Sequence, residues 1–339
     1  MSRIRASQYI FAVSRIRAIE NRLLDWEQLD RMIDAATFKD ALKVMTDAGY
    51  DYRETEHPAS AIYDYEKLLG QEHKKLYGLM EEIAPQPEVF RLFLQPYDFH
   101  NIKVMLKAEF AGIEDFAGLL IDRGSIGLTK LEAMMRDRKF NEMPEIMRLA
   151  VEEAITDFYH TRDPQTVDLI LDRACYARMS QMAASFRHRF LTDLVSGTAD
   201  LLNINILLRL KWLKKDMEFA GKALLPGGNV PAEVLLKNFG KPAEELIGVL
   251  VNTPAGGVAG KELESHRREG MSIEPERMLA VFRMMFIQAS RYMISGLEPL
   301  VGYLLAKETE LRNLRVIMAG KTNRLSGDAI RERLRTVYA

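Results

Sequence analysis

The chain has 339 residues, of which 47% are hydrophobic, and its 47 basic and 48 acidic residues leave a net charge of −1. That length suffices for two or three domains with a sizeable core, and the even charge balance argues against bulk attraction to nucleic acid or anionic lipid. A single cysteine, Cys175, excludes an intrachain disulfide and a cysteine-based metal site.

The N-terminal segment predicts an amphipathic helix and not a secretory signal. The stretch MSRIRASQYIFAVSRIRAIE carries arginines at positions 3, 5, 15 and 17, which interrupt any apolar region of signal-peptide length. The overlapping stretch SRIRAIENRLLDWEQLDRMI places apolar residues at steps of three, four and one, which is typical of one helical face. These residues are Ile16, Ile19, Leu23 and Leu24.

The stretch YDFHNIKVMLKAEF, residues 97 to 110, is the first of three similar segments. ADLLNINILLRLKW follows at 199 to 212, and TELRNLRVIMAGKT at 309 to 322. The copies are 102 and 110 residues apart, which is too long for a solenoid repeat and about right for a small domain. Each copy has an acid and an asparagine three residues later: Asp98 and Asn101, Asp200 and Asn203, and Glu310 and Asn313.

Each copy is followed by a short glycine-containing turn and the start of another helix. Glycine suits a helix C-cap because it tolerates a left-handed backbone. The turn glycines are Gly124, Gly228 and Gly327, and the branched residues that follow them are Ile126, Val230 and Ile330. The third linker is the shortest. The stretch LDWEQLDRMIDAATFKDAL near the N-terminus resembles the later helix openings and can supply the counterpart that the C-terminal unit lacks.

The remaining segments also predict helices, so the expected fold class is all-α. No sustained apolar–polar alternation is flanked by hairpin turns, and the breaks between helices are short. The predicted organisation is three similar units with approximate boundaries at 1–112, 113–222 and 223–339, which can close circularly. The most membrane-like stretch, residues 284 to 306, contains Arg291, Glu298 and Pro299, so it predicts two amphipathic helices and not a membrane span.

The spacing of the motif places its acid and its asparagine on one helical face. Asp98 and Asp200 closely follow a proline or a glycine and are expected as N-caps or first-turn residues, whereas Glu310 is expected inside a helix. Asparagine is a mediocre helix former, so its recurrence indicates a hydrogen bond to a neighbouring segment, with direct contact to a partner as the alternative. A basic residue follows the asparagine in two copies, as Lys103 and Arg315.

No catalytic residue, cofactor or metal site is predicted. The stretches AGKTN, 319 to 323, and GGVAGKE, 256 to 262, both lack the glycine spacing of a phosphate-binding loop. The histidines form no zinc-binding helical pair, and Cys175 is expected to be a small buried hydrophobe. Two alternatives stay open at this point: a soluble helical scaffold or adaptor without enzymatic activity, and an enzyme whose site is assembled from distant residues.

The stretch RLKWLKKD, residues 209 to 216, is the best candidate for a nucleic-acid contact because it combines four cations with Trp212. It is one short basic helix in a neutral protein, so no nucleic-acid partner is predicted. Such a patch can instead face acidic groups on a partner subunit.

The threefold motif in a helical chain of this length resembles the C subunits of the V-type and archaeal-type ATP synthases, a family that includes the d subunit of eukaryotic vacuolar ATPases. The stretches YIFAVSRIRAIENRLL and KETELRNLRVIMAG resemble the first and last long helices of that family, so the resemblance spans essentially the whole chain. Asn205 departs from the pattern, because it occupies the place of Lys103 and Arg315.

The resemblance implies three helical units arranged as a funnel with pseudo-threefold symmetry. It implies a non-catalytic central-stalk (rotor) subunit, present once per complex, without a cofactor or a membrane span. In the family, the wide mouth receives the central shaft and the narrow base sits on the membrane proteolipid ring. The expected location is therefore the cytoplasmic face of the membrane, as a peripheral part of the ATPase.

Overall fold

The computed structural model describes residues 6–50, 61–269 and 275–335. Within these ranges the regular elements are helices and none is a strand, which confirms the all-α prediction. The chain forms two compact units, one from Met1–Phe90 with Arg283–Ala339 and the other from Arg91–Phe282. The division into three repeat units stays a prediction.

The first unit is built from both ends of the sequence. Its described α-helices are α1 (Ile10–Glu20), α2 (Trp26–Asp34), α3 (Phe38–Asp47), α4 (Ala61–Ile83), the last part of α14 (Pro275–Arg291), α15 (Glu298–Thr322) and α16 (Gly327–Arg331). One apolar cluster joins Leu29 and Met32 of α2 to Leu314 and Ile317 of α15, all fully buried. The N-terminal and C-terminal segments therefore share one core and cannot reach their buried state separately.

Capping residues set the starts of the second and third helices, α2 and α3. Asp25 accepts a hydrogen bond from the amide of Gln28 at the start of α2, and Thr37 does the same for Asp40 in α3. In both helices the third residue returns a bond to the cap, which satisfies two amides that have no partner inside the helix.

The second unit holds the middle of the chain. Its α-helices are α5 (Arg91–Ala111), α6 (Leu128–Arg136), α7 (Glu145–Thr161), α8 (Pro164–Ser185), α9 (Arg189–Trp212), α10 (Met217–Ala223), α11 (Ala232–Asn238), α12 (Ala243–Gly248), α13 (Gly256–Glu269) and the first part of α14 (Pro275–Arg291). Helix α8 packs against α5, α7 and α9. Cys175 lies buried on α8, as predicted.

The stretch from 284 to 306 is divided between α14 and α15, as the sequence predicts. In the described ranges, no helix combines the length and the apolar character that crossing a bilayer requires. Over the same ranges, no group of three or more histidine, cysteine, aspartate or glutamate side chains could hold a metal ion.

Candidate functional site

The three sequence motifs lie on three long helices, α5, α9 and α15, which end in the same way. Fourteen residues after each motif acid the backbone turns left-handed, and the next amide donates to the carbonyl five residues back. This is the helix-ending geometry of a Schellman motif. The bonds join Ile113 to Ala108 at 2.9 Å, Lys215 to Leu210 at 3.0 Å and Leu325 to Gly320 at 2.9 Å. The same helix ending, at the same distance from the motif, therefore occurs three times.

Each motif asparagine forms two hydrogen bonds with the backbone of one later residue. Its amide nitrogen donates to the carbonyl of that residue, and its amide oxygen accepts from the N–H. The distances are 2.8 and 2.8 Å for Asn101 with Ile121, 2.9 and 2.7 Å for Asn203 with Leu225, and 2.9 and 2.9 Å for Asn313 with Arg335. All three asparagines are buried, so these bonds satisfy amides that water cannot reach.

The motif acids accept hydrogen bonds from the same later segments, at residues a few positions beyond the one that pairs with the asparagine. Asp98 accepts from the amides of Ser125 and Ile126 at 3.0 and 3.1 Å. Asp200 accepts from the amide of Val230 at 3.0 Å and from the side chain of Asn229 at 2.9 Å. We call residues 121–126 and 225–230 the strap segments, because each is fastened to its helix by an asparagine and an aspartate.

The prediction that Asp98 and Asp200 begin their helices is wrong, because both lie buried in the middle of α5 and α9. Pro96 lies inside α5 and removes one amide donor without ending the helix. Gly197 serves packing, because a Cβ at this position would overlap the ring of Phe282. In both cases tertiary packing outweighs the tendency of proline or glycine to end a helix.

The turn glycines serve a different purpose from the predicted one. Neither Gly124 nor Gly228 has the left-handed backbone of a C-cap glycine. A Cβ on Gly124 would overlap the carboxylate of Asp98, and a Cβ on Gly228 would overlap that of Asp200. Glycine is therefore required because the strap segment passes directly over a buried carboxylate.

The third motif is completed by both ends of the chain. The carboxylate of Glu310, inside α15 as expected, accepts from the amide of Leu24, whereas Asn313 holds Arg335 near the other end. Leu24 immediately precedes the N-cap of α2, as Ile126 and Val230 precede those of α6 and α11. The N-terminal segment thus supplies the missing counterpart.

Ile330 is not the third counterpart, although its sequence position suggested it. Its amide donates to the carbonyl of Ser326 in the first turn of α16. The shorter third linker leaves this residue inside a helix and not in a strap segment.

The electrostatics of the three sites differ. Burial raises the pKa of Asp98 and that of Asp200 above the ordinary aspartate value, although hydrogen bonds from the strap segments oppose the shift. At the third site the Tyr50 hydroxyl donates to Glu310, and Lys307 donates to Glu310 at 2.6 Å. Burial and the charge of Glu310 raise the pKa of Tyr50 well above its ordinary value, so this phenol stays protonated as a donor.

The basic motif positions pair with neighbouring helices. Lys103 forms an ion pair with Asp172 of α8 at 2.8 Å, and Arg315 forms one with Glu66 of α4 at 2.8 Å. Both pairs are partly exposed, so each contributes about 1 kcal/mol or less. The second copy, with Asn205, lacks this pair.

Several contributors were missed from the sequence. Ser125 and Asn229, which both contact the motif acid, directly follow the turn glycines. Both copies contain a glycine followed by a small polar residue and a branched apolar residue. This shared pattern could have predicted the contact between the polar residue and the motif acid. Tyr50 and Lys307 had no such signal, because in the described ranges no tyrosine or lysine donates a hydrogen bond to Asp98 or Asp200 as these two do to Glu310.

Lys321, from the stretch that superficially resembles a phosphate loop, donates to the carbonyls of Ile33 and Ala35 at the end of α2. A cation there satisfies carbonyls that lack helical partners. The charge of Lys321 therefore stabilises the contact between α15 and α2.

Comparisons with known proteins identify the family of the chain. The family model described as ATP synthase (C/AC39) subunit matches residues 12–333. The C subunit of the V-type sodium ATPase of Enterococcus hirae is 26% identical, over 81% of this chain and 83% of the relative. The C subunit of the A-type ATP synthase of Methanocaldococcus jannaschii is 24% identical, over 96% and 86%, and that of Thermococcus gammatolerans is 26% identical, over 91% and 85%. The chain belongs to the ATP synthase (C/AC39) subunit family.

Proposed function

We propose that this chain is the C subunit of a V/A-type rotary ATPase, a non-catalytic part of the central stalk. It couples the central shaft to the membrane proteolipid ring, for ATP-driven ion transport or ion-driven ATP synthesis. The observation that carries this proposal is the family match from residue 12 to residue 333, which includes all three motif helices.

The hydrogen bonds of the motif suit a part that transmits torque. Separating a strap segment from its helix breaks two hydrogen bonds at the asparagine and at least one at the acid. All these polar groups then lose their partners at the same time. Buried polar groups that are all hydrogen-bonded favour one backbone conformation over similar alternatives. The motif acids and asparagines are thus used for stiffness, which makes a catalytic role for them unnecessary.

We further propose three repeat units, near 1–112, 113–222 and 223–339, closed circularly where Leu24 and Arg335 meet α15. The repeated hydrogen bonds and the family support this division. A funnel with pseudo-threefold symmetry, one copy per complex and a peripheral position on the cytoplasmic face are parts of the same proposal.

Co-purification from native membranes tests the proposal. A tagged chain should bring down a proteolipid ring and the shaft subunits, identified by mass, at one copy per complex. A soluble helical scaffold, the alternative function, would bring down partners without a proteolipid ring.

Salt provides a second test of attachment to the ring. One part on a ring of many identical subunits cannot repeat the same contact at each of them. General charge complementarity should therefore contribute, and attachment should weaken as salt shortens the screening length to about 3 Å near 1 M. Attachment that is indifferent to salt would contradict this electrostatic part.

A further inference from the structure

The C-terminal end of α9 carries an exposed patch that the proposed function leaves unused. We call it the Trp212 patch; it comprises Arg209, Lys211, Trp212, Leu213, Lys214, Lys215 and Met217. Trp212 is 80% exposed, and Leu213 and Met217 are 45% and 56% exposed. Large apolar side chains that are exposed together, and not singly, mark an interaction surface.

Two of the four cations of the patch are held in position by contacts that do not neutralise their charge. Lys211 donates to the backbone carbonyl of Lys241, and the Lys215 nitrogen lies 5.0 Å from the ring centroid of Phe219. Nearby acids are occupied, since Asp216 caps α10 and Glu218 pairs with Lys222. Within the described part of the chain, none of the four cations forms an ion pair with an acid: Arg209, Lys211, Lys214 and Lys215.

The first copy of the motif helix shows what covers an aromatic residue at this place. Phe110 follows Asp98 by 12 residues, as Trp212 follows Asp200. Phe110 stacks on Phe158 with ring centroids 3.9 Å apart and an interplanar angle of 4°. The third copy has Thr322 there. The second copy therefore presents to the outside an aromatic side chain that the first copy covers from within.

We propose that the Trp212 patch binds an acidic, apolar-bearing face of a neighbouring protein subunit in the rotary ATPase. This inference rests on the proposed function and adds a surface to it. The four unpaired cations select an acidic partner, and the exposed apolar side chains require that partner to exclude water.

A protein partner fits better than an anionic lipid surface. The patch is fixed by a helix end, by a carbonyl that holds Lys211 and by a ring beneath Lys215. A fluid lipid surface gains nothing from fixed charges, whereas a protein face binds more tightly when its partner groups are already in place. Tryptophan and arginine are also enriched among the residues that dominate protein–protein binding.

Photo-crosslinking in the assembled complex tests the partner directly. A photoreactive phenylalanine analogue replaces Trp212, the complex is irradiated, and the adducts are identified by mass. The expected adduct joins this chain to another protein subunit. The same analogue at Tyr159, which is exposed on α7, is the control for indiscriminate labelling and should not give that adduct.

Binding of the variants tests the charges and the aromatic ring. Trp212→Ala and Lys214→Glu should each weaken retention in the complex, by at least about tenfold for Trp212→Ala. The control is Lys237→Glu on α11, which makes the same charge change at another exposed position and should leave retention unchanged. Unchanged melting temperatures establish that the variants are folded.

The outcomes separate the two proposals. A complex that contains the chain but gives a lipid adduct at position 212, or no adduct, overturns the assignment of the patch and leaves the proposed function standing. Equal retention of Trp212→Ala and the wild type overturns it as well. A chain that co-purifies with no rotary ATPase overturns the proposed function, and this inference with it.

Discussion

Replacing Asn203 by leucine removes both hydrogen bonds that fasten the second strap segment. The N–H and the C=O of Leu225, a buried residue, then lose their partners, at about 1–3 kcal/mol each. Burying the new leucine side chain returns about 1.5–3 kcal/mol. The net loss of stability is therefore about 2 kcal/mol. For a unit the size of residues 91–282, that lowers the melting temperature by about 4–8 °C.

Asn205→Leu is the matched control, since it makes the same change two residues further along α9. Within the described residues, the side chain of Asn205 has no hydrogen-bond partner, so its replacement should leave the melting temperature nearly unchanged or raise it slightly. Calorimetry of both purified variants measures the difference. Equal melting temperatures would refute the structural role of Asn203. Lost binding to the ATPase at unchanged stability would assign that residue to an interface.

Single contacts elsewhere in the chain give three more predictions. Gly228→Ala should lower the free energy of unfolding, measured in urea, by about 1–3 kcal/mol, because the strap segment must move away from Asp200. The control Gly240→Ala, at a position with open space around it, should change that free energy by less than about 0.5 kcal/mol. Equal values for the two variants would contradict the close approach of Gly228 to Asp200. Burial raises the pKa of Cys175 from 9.0 to about 12, so the thiol of the unfolded chain ionises at lower pH than that of the folded chain. The free energy of unfolding should therefore fall as pH rises between these values. Rapid labelling of the native thiol near pH 8 would contradict its burial. Lys321→Met should lower stability by about 1–2 kcal/mol, because two carbonyls lose their donor. The purified chain should hydrolyse no ATP, and turnover that this variant abolishes would overturn the rejection of a phosphate loop at AGKTN.

The repeat and its polar pairing could be predicted because they follow from spacing. An acid and an asparagine three residues apart share a helical face, and a buried amide needs a partner. The position of Asp98 could not be predicted, because Pro96 is a breaking signal that only tertiary packing overrides. The segment that pairs with Glu310 could also be anticipated, because the stretch that begins with Leu24 resembles the later helix openings. The Tyr50 hydroxyl that donates to Glu310 was out of reach for a different reason: Tyr50 lies 260 residues earlier, and no repeated pattern in the sequence links the two positions.

The third motif, which Leu24 and Arg335 complete from opposite parts of the sequence, has a consequence during synthesis. Leu24 leaves the ribosome long before Glu310, and at about 5–20 residues per second the interval is about 15–60 s. Throughout that interval the apolar faces of α2 and α3 lack the helix α15 that covers them, whereas the segment from 91 to 282 emerges in full before α15 does. The N-terminal helices are thus the part of the nascent chain that most needs a chaperone, and a transcript cut short before α15 yields a product that proteases can recognise by those uncovered faces.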